Sequence, residues 1–221
     1  MTNSQFFSQG YYNGVLEDLN ADSTELNQRI QEIYSFASDM NKNFEYFNIA
    51  ESLPHRIPYA QKAERLQYLQ DHPEILYCNS SNILIENEET SSTLLYFKNL
   101  IQDFIPSVYP DLTSDKITTS YSIQMYEEGD FQAEHTDDHV GDCVVIVYLS
   151  DPSTYNNSGQ IQFLDPAPSD NVIDAFNPVL GNFIMLELTE HNPRHRVQRV
   201  TGDFKRFSFL AQVRRLDDPL I

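Results

Sequence analysis

Hydrophobic positions in the first part of the chain recur at helical spacing. From Ser23 onward the apolar residues follow one helix face: Leu26, Ile30, Ile33, Ala37 and Met40. Because serine is a favoured N-cap and residues four and seven apart share a helix face, this spacing predicts a helix that begins at Ser23. The apolar face is expected to pack against the rest of the molecule.

Two further helices are predicted before residue 110. A short one follows Pro58 and ends before Pro73, with its apolar face formed by Ala60, Ala63, Leu66 and Leu69. Another begins after Ser91 or Ser92 and ends before Pro106, since proline is accepted at the start of a helix and interrupts its interior. The apolar positions of this third helix are Leu94, Leu95, Phe97, Leu100, Ile101, Phe104 and Ile105.

After Pro110 the pattern changes to short runs rich in β-branched and aromatic residues. Six such runs are separated by turn residues: ITTSYSIQMY, CVVIVYL, GQIQFL, GNFIMLEL, HRVQRV and RFSFLAQV. This texture is typical of a closed or sandwiched antiparallel sheet. We therefore expect one α+β domain over residues 1–221, with a helical support region at 1–115 and a β core at 116–215.

Composition and charge narrow the classes of partner. The 221 residues are 40% hydrophobic and 12% aromatic, as expected for a soluble globular protein. A net charge of −19 argues against generic binding to nucleic acid or to anionic membranes. The start lacks the pattern of a signal peptide, and the two cysteines, Cys78 and Cys143, suggest a reducing compartment, so we expect a cytoplasmic protein.

A metal site is suggested by the segment YEEGDFQAEHTDD. His135 and Asp137 are two residues apart, so on an extended strand their side chains lie on the same face. A third ligand is available in His195, which lies on a later predicted strand. Two histidines and one carboxylate form the facial arrangement preferred by non-haem Fe(II) oxygenases, which leaves coordination positions open. His139 and His191, each four residues from one of these histidines, are alternative ligands.

An anion-binding position is predicted near this site. The segment VQRVTGDFKRFSFLAQV after His195 resembles a hairpin, which would place Ser208 opposite His195 and Arg206 diagonally beside it. Arginine binds a carboxylate through its planar fork, and a serine hydroxyl can add one more donor. Seven of the chain's 14 basic residues lie between Arg194 and Arg215, which also favours an anionic co-substrate.

Taken together, these motifs resemble a known family. The order runs from Tyr126-x-x-Gly129 through His135-Thr136-Asp137 and the strand CVVIVYLSD to three later groups: Gly159, then Pro178 with Gly181-Asn182, then His195 with Arg206-Phe207-Ser208. This order is similar to that of the Fe(II)/2-oxoglutarate-dependent dioxygenases, and most similar to their prolyl 4-hydroxylase-like branch. The resemblance covers about residues 120 to 214, and the helical first part matches only loosely.

The resemblance implies a double-stranded β-helix, or jelly roll, buttressed by N-terminal helices. It implies Fe(II) bound by His135, Asp137 and His195, with 2-oxoglutarate and O2 as co-substrates. By the same carry-over, Arg206 would bind the distal carboxylate of 2-oxoglutarate, with Ser208 or Tyr126 assisting. If Arg206 does not bind this carboxylate, Lys205 is the alternative. The family also has a tyrosine on its second strand that can contact 2-oxoglutarate, and the matching residue here is Tyr148 or Val147.

The implied reaction is hydroxylation of a C–H bond, with release of succinate and CO2. The substrate implied first is a prolyl residue in a protein or peptide, and a free amino acid or small metabolite is the alternative. Glu134 and Arg196 are candidate substrate-binding residues, because acidic side chains at the entrance would select a cationic or zwitterionic substrate. A metal-free jelly-roll binding module is the alternative to an enzyme.

Overall fold

The structure, a computed structural model, describes residues 9–19, 22–37, 45–49, 56–64, 67, 78–84, 92–110, 112–137 and 141–216. Within these ranges two α-helices are formed, α1 (Ser23–Ala37) and α2 (Ser92–Val108). The strands are β1 (Tyr11–Val15), β2 (Glu45–Ile49), β3 (Arg56–Pro58), β4 (Cys78–Leu84), β5 (Ile117–Tyr126), β6 (Phe131–His135), β7 (Cys143–Tyr148), β8 (Ile161–Leu164), β9 (Val172–Phe176), β10 (Asn182–Glu187), β11 (His195–Val197) and β12 (Arg206–Arg215).

The strands form the two antiparallel layers of a jelly roll. The larger layer has the order β1-β10-β7-β12-β5, and the smaller layer has the order β6-β11-β8-β9. Strand β4 bonds to β5 and to β6 and so joins the layers, while β2 and β3 extend the sheet from β4. The predicted α+β jelly roll is thus confirmed, and all six predicted runs form strands.

Strand β7 shows why the larger layer is buried on both faces. All six of its residues are buried, and alternate side chains enter different hydrophobic clusters. Val145 and Val147 pack with the helices, whereas Val144, Ile146 and Tyr148 lie between the two layers. Because successive side chains of a strand point to opposite faces, a continuous apolar run is the sequence signature of such a doubly covered strand.

The helices cover the outer face of the larger layer. Ile30 of α1 and Phe97 and Ile101 of α2 are buried in the same cluster as Phe209 of β12. Helix α1 begins at Ser23 as predicted, but its cap is Asp22, whose side chain accepts hydrogen bonds from the backbone N–H groups of the first turn.

Helix α2 continues past Pro106, where the sequence predicts its end. The Ser107 hydroxyl donates to the Phe104 carbonyl, and the Tyr109 N–H donates to the Ile105 carbonyl, so the last turn keeps hydrogen-bonded carbonyls despite the proline. Of the helix predicted after Pro58, the structure describes a 3-10 turn over Tyr59–Gln61 and helical residues 62–64. Residue 67 is helical as well, and the other residues of that prediction lie outside the described ones.

Two expectations about strand pairing are wrong. Residues 1–115 do more than supply helical support, because β1 pairs with β10 and β4 pairs with β5 and β6. Strands β11 and β12 do not form a hairpin: β11 pairs with β6 and β8, and β12 pairs with β5 and β7. The two strands lie in different layers because each hydrogen-bonds to strands that are distant from it in sequence.

Among the described residues, no helix combines the length and the apolar character that crossing a bilayer requires.

Candidate active site

The predicted triad comes together at one end of the smaller layer. His135 of β6 and His195 of β11 are directly registered partners, and their ring centroids lie 4.2 Å apart. Asp137 follows β6 and lies near both, with Oδ1 3.4 Å from His135 Nε2 and Oδ2 3.7 Å from His195 Nε2. One ligand atom from each residue lies within 4.8 Å of the others, which is close enough to share one ion.

Backbone carbonyls orient both imidazoles. His135 Nδ1 lies 2.8 Å from the Ala133 carbonyl oxygen, and His195 Nδ1 lies 2.9 Å from that of Pro193. Since a carbonyl oxygen only accepts, each Nδ1 must carry the proton, and each Nε2 of the neutral ring keeps its lone pair. The two Nε2 atoms face the Asp137 carboxylate, so the triad presents ligand atoms for a cation.

The surroundings of His195 and Asp137 shift their pKa values in the direction that favours metal binding. Burial, together with the nearby His135, lowers the pKa of His195 to about 4. Burial alone would raise the pKa of Asp137, but the neighbouring His135 and His195 lower it overall. At neutral pH His195 is therefore a neutral imidazole beside the ionised Asp137 carboxylate, the protonation states in which these two groups bind a metal ion.

The turn before His195 also holds the loop that carries Asp137. The Asn192 side chain accepts a hydrogen bond of 3.0 Å from the Asp137 backbone N–H. This turn is fixed by the buried Glu187 carboxylate, which accepts hydrogen bonds from the backbone N–H groups of Thr189, Glu190 and His191. The carboxylate ligand and the second histidine are thereby positioned by one turn.

Arg206 lies deep between the layers, at the start of β12. It is 1% exposed and is registered directly opposite Tyr126 of β5. Its guanidinium carbon lies 4.7 Å from the centroid of the Tyr126 ring and 5.2 Å from that of Tyr148. Ser208, two residues along β12, faces Tyr148 of β7 in register. The two aromatic rings hold the guanidinium through cation–π contacts and leave its N–H groups for another partner.

The polar groups around Arg206 fit a bound carboxylate. Among the described residues, Arg206 Nε and Nη1, Ser208 Oγ and the Tyr148 hydroxyl are buried without a hydrogen-bond partner. Buried donors are normally paired, and leaving one unpaired costs about 1–3 kcal/mol. A carboxylate could accept from a guanidinium N–H and from a neighbouring hydroxyl together, so the residues present fit the distal end of 2-oxoglutarate.

A glycine leaves room beside this arginine. Gly159 has a φ of +70°, and a Cβ at this position would lie 3.0 Å from Val200 Cγ2 and 3.4 Å from Arg206 Cδ. Only glycine adopts this backbone conformation without strain and also keeps the space open. The glycine that precedes β8 therefore helps to fix the position of the guanidinium.

A hydrogen-bond chain connects the arginine pocket to the triad. The Tyr126 hydroxyl lies 3.2 Å from Gln132 Oε1, and Gln132 Nε2 lies 2.9 Å from His135 Nε2. Through Tyr126 and Gln132, Arg206 is thus linked by a continuous chain of contacts to His135. Sequence reasoning missed Gln132, because period 2 places it on the face opposite His135.

The sequence did not decide whether Tyr148 or Val147 faces the site. In the structure it is Tyr148 that faces Arg206. Its ring contacts the guanidinium, whereas Val147 packs on the helix side of the larger layer. Burial raises the pKa of Tyr148, while the neighbouring Arg206 lowers it. The alternation along β7 could have identified this side chain, since Tyr148 shares a face with Val144 and Ile146.

Other candidates from the sequence lie away from the triad. Arg196 alternates with His195 and so lies on the opposite face of β11, where its Nε is 2.8 Å from Gln162 Oε1. Glu134 accepts hydrogen bonds from Arg194 at the surface. His191 binds the Glu187 carboxylate instead of joining the triad, and Lys205 is exposed. His139 lies outside the described residues.

Comparisons with known proteins agree with this site. The profile of the 2OG-Fe(II) oxygenase superfamily matches residues 121–212. Similar structures include a prolyl-4-hydroxylase from Pseudomonas putida, 11% identical over 96% of each chain with a TM-score of 0.60. Another is the α-ketoglutarate-dependent epimerase SnoN from nogalamycin biosynthesis, 11% identical over 96% of this chain and 79% of that chain, with a TM-score of 0.61.

A third similar structure is a prolyl hydroxylase from Trichoplax adhaerens in complex with a peptide from the oxygen degradation domain of hypoxia-inducible factor. It is 15% identical over 90% of this chain and 96% of that chain, with a TM-score of 0.51. At these identities the similarity shows the fold. No protein of curated function matches the sequence.

The matched segment contains β5 to β12 almost entirely and includes all three members of the triad. Residues 121–212 therefore resemble the catalytic core of the 2OG-Fe(II) oxygenase superfamily, whose members are oxidoreductases. This similarity implies Fe(II) as the metal, with 2-oxoglutarate and O2 as co-substrates.

Proposed function

We propose that His135, Asp137 and His195 bind Fe(II), and that Arg206 with Ser208 binds the distal carboxylate of 2-oxoglutarate. The observation that carries this proposal is the buried guanidinium, which has two nitrogens unpaired among the described residues and is linked through Tyr126 and Gln132 to the triad. A buried cation without an anionic partner is costly, so the pocket is built for an anion that binds from outside.

The reaction proposed is hydroxylation of a C–H bond. When bound, Fe(II) supplies the oxygen chemistry: one atom of O2 enters the product hydroxyl, the other enters succinate, and 2-oxoglutarate loses CO2. The protein contributes orientation, because Arg206 fixes one end of the co-substrate and the triad fixes the ion. It also excludes water, since His195 and Arg206 are both almost fully buried.

A prolyl residue in a protein or peptide is the substrate we propose first. The triad is open on one side, where the side chains of His135 and Asp137 are 24% and 18% exposed, against 4% for His195. Two prolyl hydroxylases share the fold, and one of them is bound to a peptide. A small metabolite is the second candidate, because the SnoN epimerase shares the fold equally well.

One assay separates these candidates. The protein would be incubated with Fe(II), 2-oxoglutarate and O2, together with either proline-containing peptides or a panel of free amino acids, and succinate and substrate mass would both be measured. Succinate release coupled to a gain of one oxygen on a peptide proline supports the first proposal. The same gain on a free amino acid favours the second, and coupled succinate without a mass change would contradict hydroxylation.

We also propose that the chain forms a single domain, since β1 and β4 pair directly with core strands. The buried, unpaired Cys143 thiol supports the proposal of a reducing compartment such as the cytoplasm.

A further inference from the structure

Gln132 reaches the triad because β6 contains a bulge. His135 pairs with His195 and Gln132 pairs with Val197, so three steps along β6 match two steps along β11. On a regular strand, residues three apart lie on opposite faces. The extra residue turns Gln132 onto the inner face that also carries His135, and bulges re-aim side chains in this way next to active sites.

The hydrogen bonds of the Gln132 amide have a defined direction. The Tyr126 hydroxyl donates to Gln132 Oε1, which fixes the orientation of the amide. Gln132 must therefore present its NH2 group to His135, at 2.9 Å, and its Oε1 accepts from the Tyr126 hydroxyl at 3.2 Å. In this structure the amide N–H occupies the lone pair that the proposed iron ligand would give to the ion.

If His135 Nε2 bound an ion, Gln132 would lose this acceptor. Tyr126 would still hold Gln132 Oε1, so the NH2 group would remain beside the bound ion. The acceptors available to it there would be oxygen atoms of the other groups that bind the ion. The other end of 2-oxoglutarate is held by Arg206, which lies over the same Tyr126 ring.

We propose that Gln132 is a positioning residue for 2-oxoglutarate, and that its NH2 group donates to an oxygen by which the co-substrate binds the ion. This inference rests on the proposed function, since it takes His135 as an iron ligand. Tyr126 then serves both ends of the co-substrate, through its ring under Arg206 and through its hydroxyl on Gln132.

Three variants test the proposal. Gln132→Leu removes the donor, and Gln132→Glu keeps the shape but replaces the NH2 group with a charged oxygen. Gln162→Leu is the matched control, because Gln162 lies on β8 in the same layer and hydrogen-bonds Arg196 on the outer face. For each protein, Mn(II) affinity would be measured by electron paramagnetic resonance, and 2-oxoglutarate affinity by the anaerobic charge-transfer absorption of the Fe(II) protein.

We expect Gln132→Leu to raise the Kd for 2-oxoglutarate about tenfold, the value of one hydrogen bond to a charged group, without raising the Kd for Mn(II). Gln132→Glu should move the two affinities in opposite directions: a carboxylate beside His135 attracts the cation and repels the dianionic co-substrate. Gln162→Leu should leave both affinities unchanged. A general disturbance of packing would instead weaken both together.

The failures are distinguishable. If the wild-type protein binds Mn(II) but shows no absorption change with Fe(II) and 2-oxoglutarate, the proposed function fails and this inference fails with it. If the wild type shows the band and Gln132→Leu binds 2-oxoglutarate equally well, only the role of Gln132 is overturned. An equal loss in Gln162→Leu, or parallel loss of both affinities in Gln132→Glu, would overturn it as well.

Discussion

Arg206 and Tyr126 face each other across β12 and β5 as a registered pair, with the guanidinium carbon 4.7 Å from the centre of the ring. The aromatic face stabilises the cation but accepts no conventional hydrogen bond, so the fork of the guanidinium keeps its donors. This arrangement holds a positive charge in the interior of a protein whose net charge is −19. The buried cation with unpaired donors therefore favours an anion as its partner.

The first prediction concerns the cost of this buried charge. Arg206→Met should raise the free energy of unfolding of the cofactor-free protein by about 1 kcal/mol, because an apolar side chain replaces a guanidinium whose Nε and Nη1 have no hydrogen-bond partner among the described residues. It should also abolish the rise in unfolding temperature that 2-oxoglutarate gives the wild type. Thermal unfolding with and without 2-oxoglutarate measures both effects.

Arg214→Met, on the same strand, is the control for this variant and should retain the response to 2-oxoglutarate. A clear loss of stability in Arg206→Met would contradict this prediction. It would show that the stabilisation from the cation–π contacts exceeds the cost of the unpaired donors.

The second prediction concerns metal binding. The Nε2 atoms of His135 and His195 lie 3.4 and 3.7 Å from oxygens of the Asp137 carboxylate, so one cation can contact all three groups. A divalent cation at 100 times its Kd should therefore stabilise the fold by about 2.7 kcal/mol, since it binds only the native state. Calorimetric or urea unfolding with Mn(II) checks this, and His195→Ala should show no such gain. A matched control is His191→Ala, which removes a histidine bonded to Glu187 outside the triad; retention of the gain in this variant is expected.

The third prediction separates backbone strain from the loss of space at Gly159. Gly159→Ala and Gly181→Ala both place a side chain at positive φ, but a Cβ meets Val200 and Arg206 at the first position and nothing within 4 Å at the second. Both variants should lose about 1–2 kcal/mol of stability. Only Gly159→Ala should also raise the Kd for 2-oxoglutarate. Equal Kd values in the two variants would show that the space beside Arg206 has no role in binding.

The fourth prediction is a pH dependence of the buried ion pair between Lys62 and Asp130. Lys62 Nζ lies 2.8 Å from Asp130 Oδ2 and 2.8 Å from Glu127 Oε1, which joins residues 62–64 to the turn between β5 and β6. Burial raises the pKa of Asp130 to about 6, although Lys62 acts to lower it. A carboxyl whose folded pKa exceeds its unfolded value loses stability as pH rises from about 4 to 6, because the unfolded chain releases its proton first.

Removing the lysine should steepen this loss. Lys62→Met removes the hydrogen-bonded ammonium from the buried Asp130 carboxyl, so the variant should lose about 3 kcal/mol at pH 7 and much less at pH 4.5, as measured by urea unfolding. Adding Asp130→Asn should recover most of the loss at pH 7. A Lys62→Met effect that does not change with pH would contradict the role of the carboxylate.

The local chemistry of the site could be predicted from sequence. The period-2 spacing of His135 and Asp137 and the parity that places Arg206 and Ser208 on one face of β12 both agree with the structure. The same alternation could have excluded Arg196 from the site. Arg196 follows His195 directly on the strand, so the two side chains lie on opposite faces.

The pairings between distant segments could not be predicted. Residues 195–213 look like a hairpin because the turn signal is local, yet β11 and β12 find their partners in different layers. Strands β1 to β4 were missed for the same reason: each is stabilised by a neighbour far along the chain, and sequence periodicity reports only which face of an element is apolar.

The sequence by itself determined the identities and spacing of the groups that carry the chemistry, and the strands and helices with strong periodicity. Tertiary structure alone decided that a bulge turns Gln132 onto the face of His135, that Tyr148 and Tyr126 enclose Arg206, and that Lys62 reaches Asp130. These relationships depend on register and on long-range pairing. A shift of one residue in a strand reverses every side chain, and no local pattern specifies where such a shift occurs.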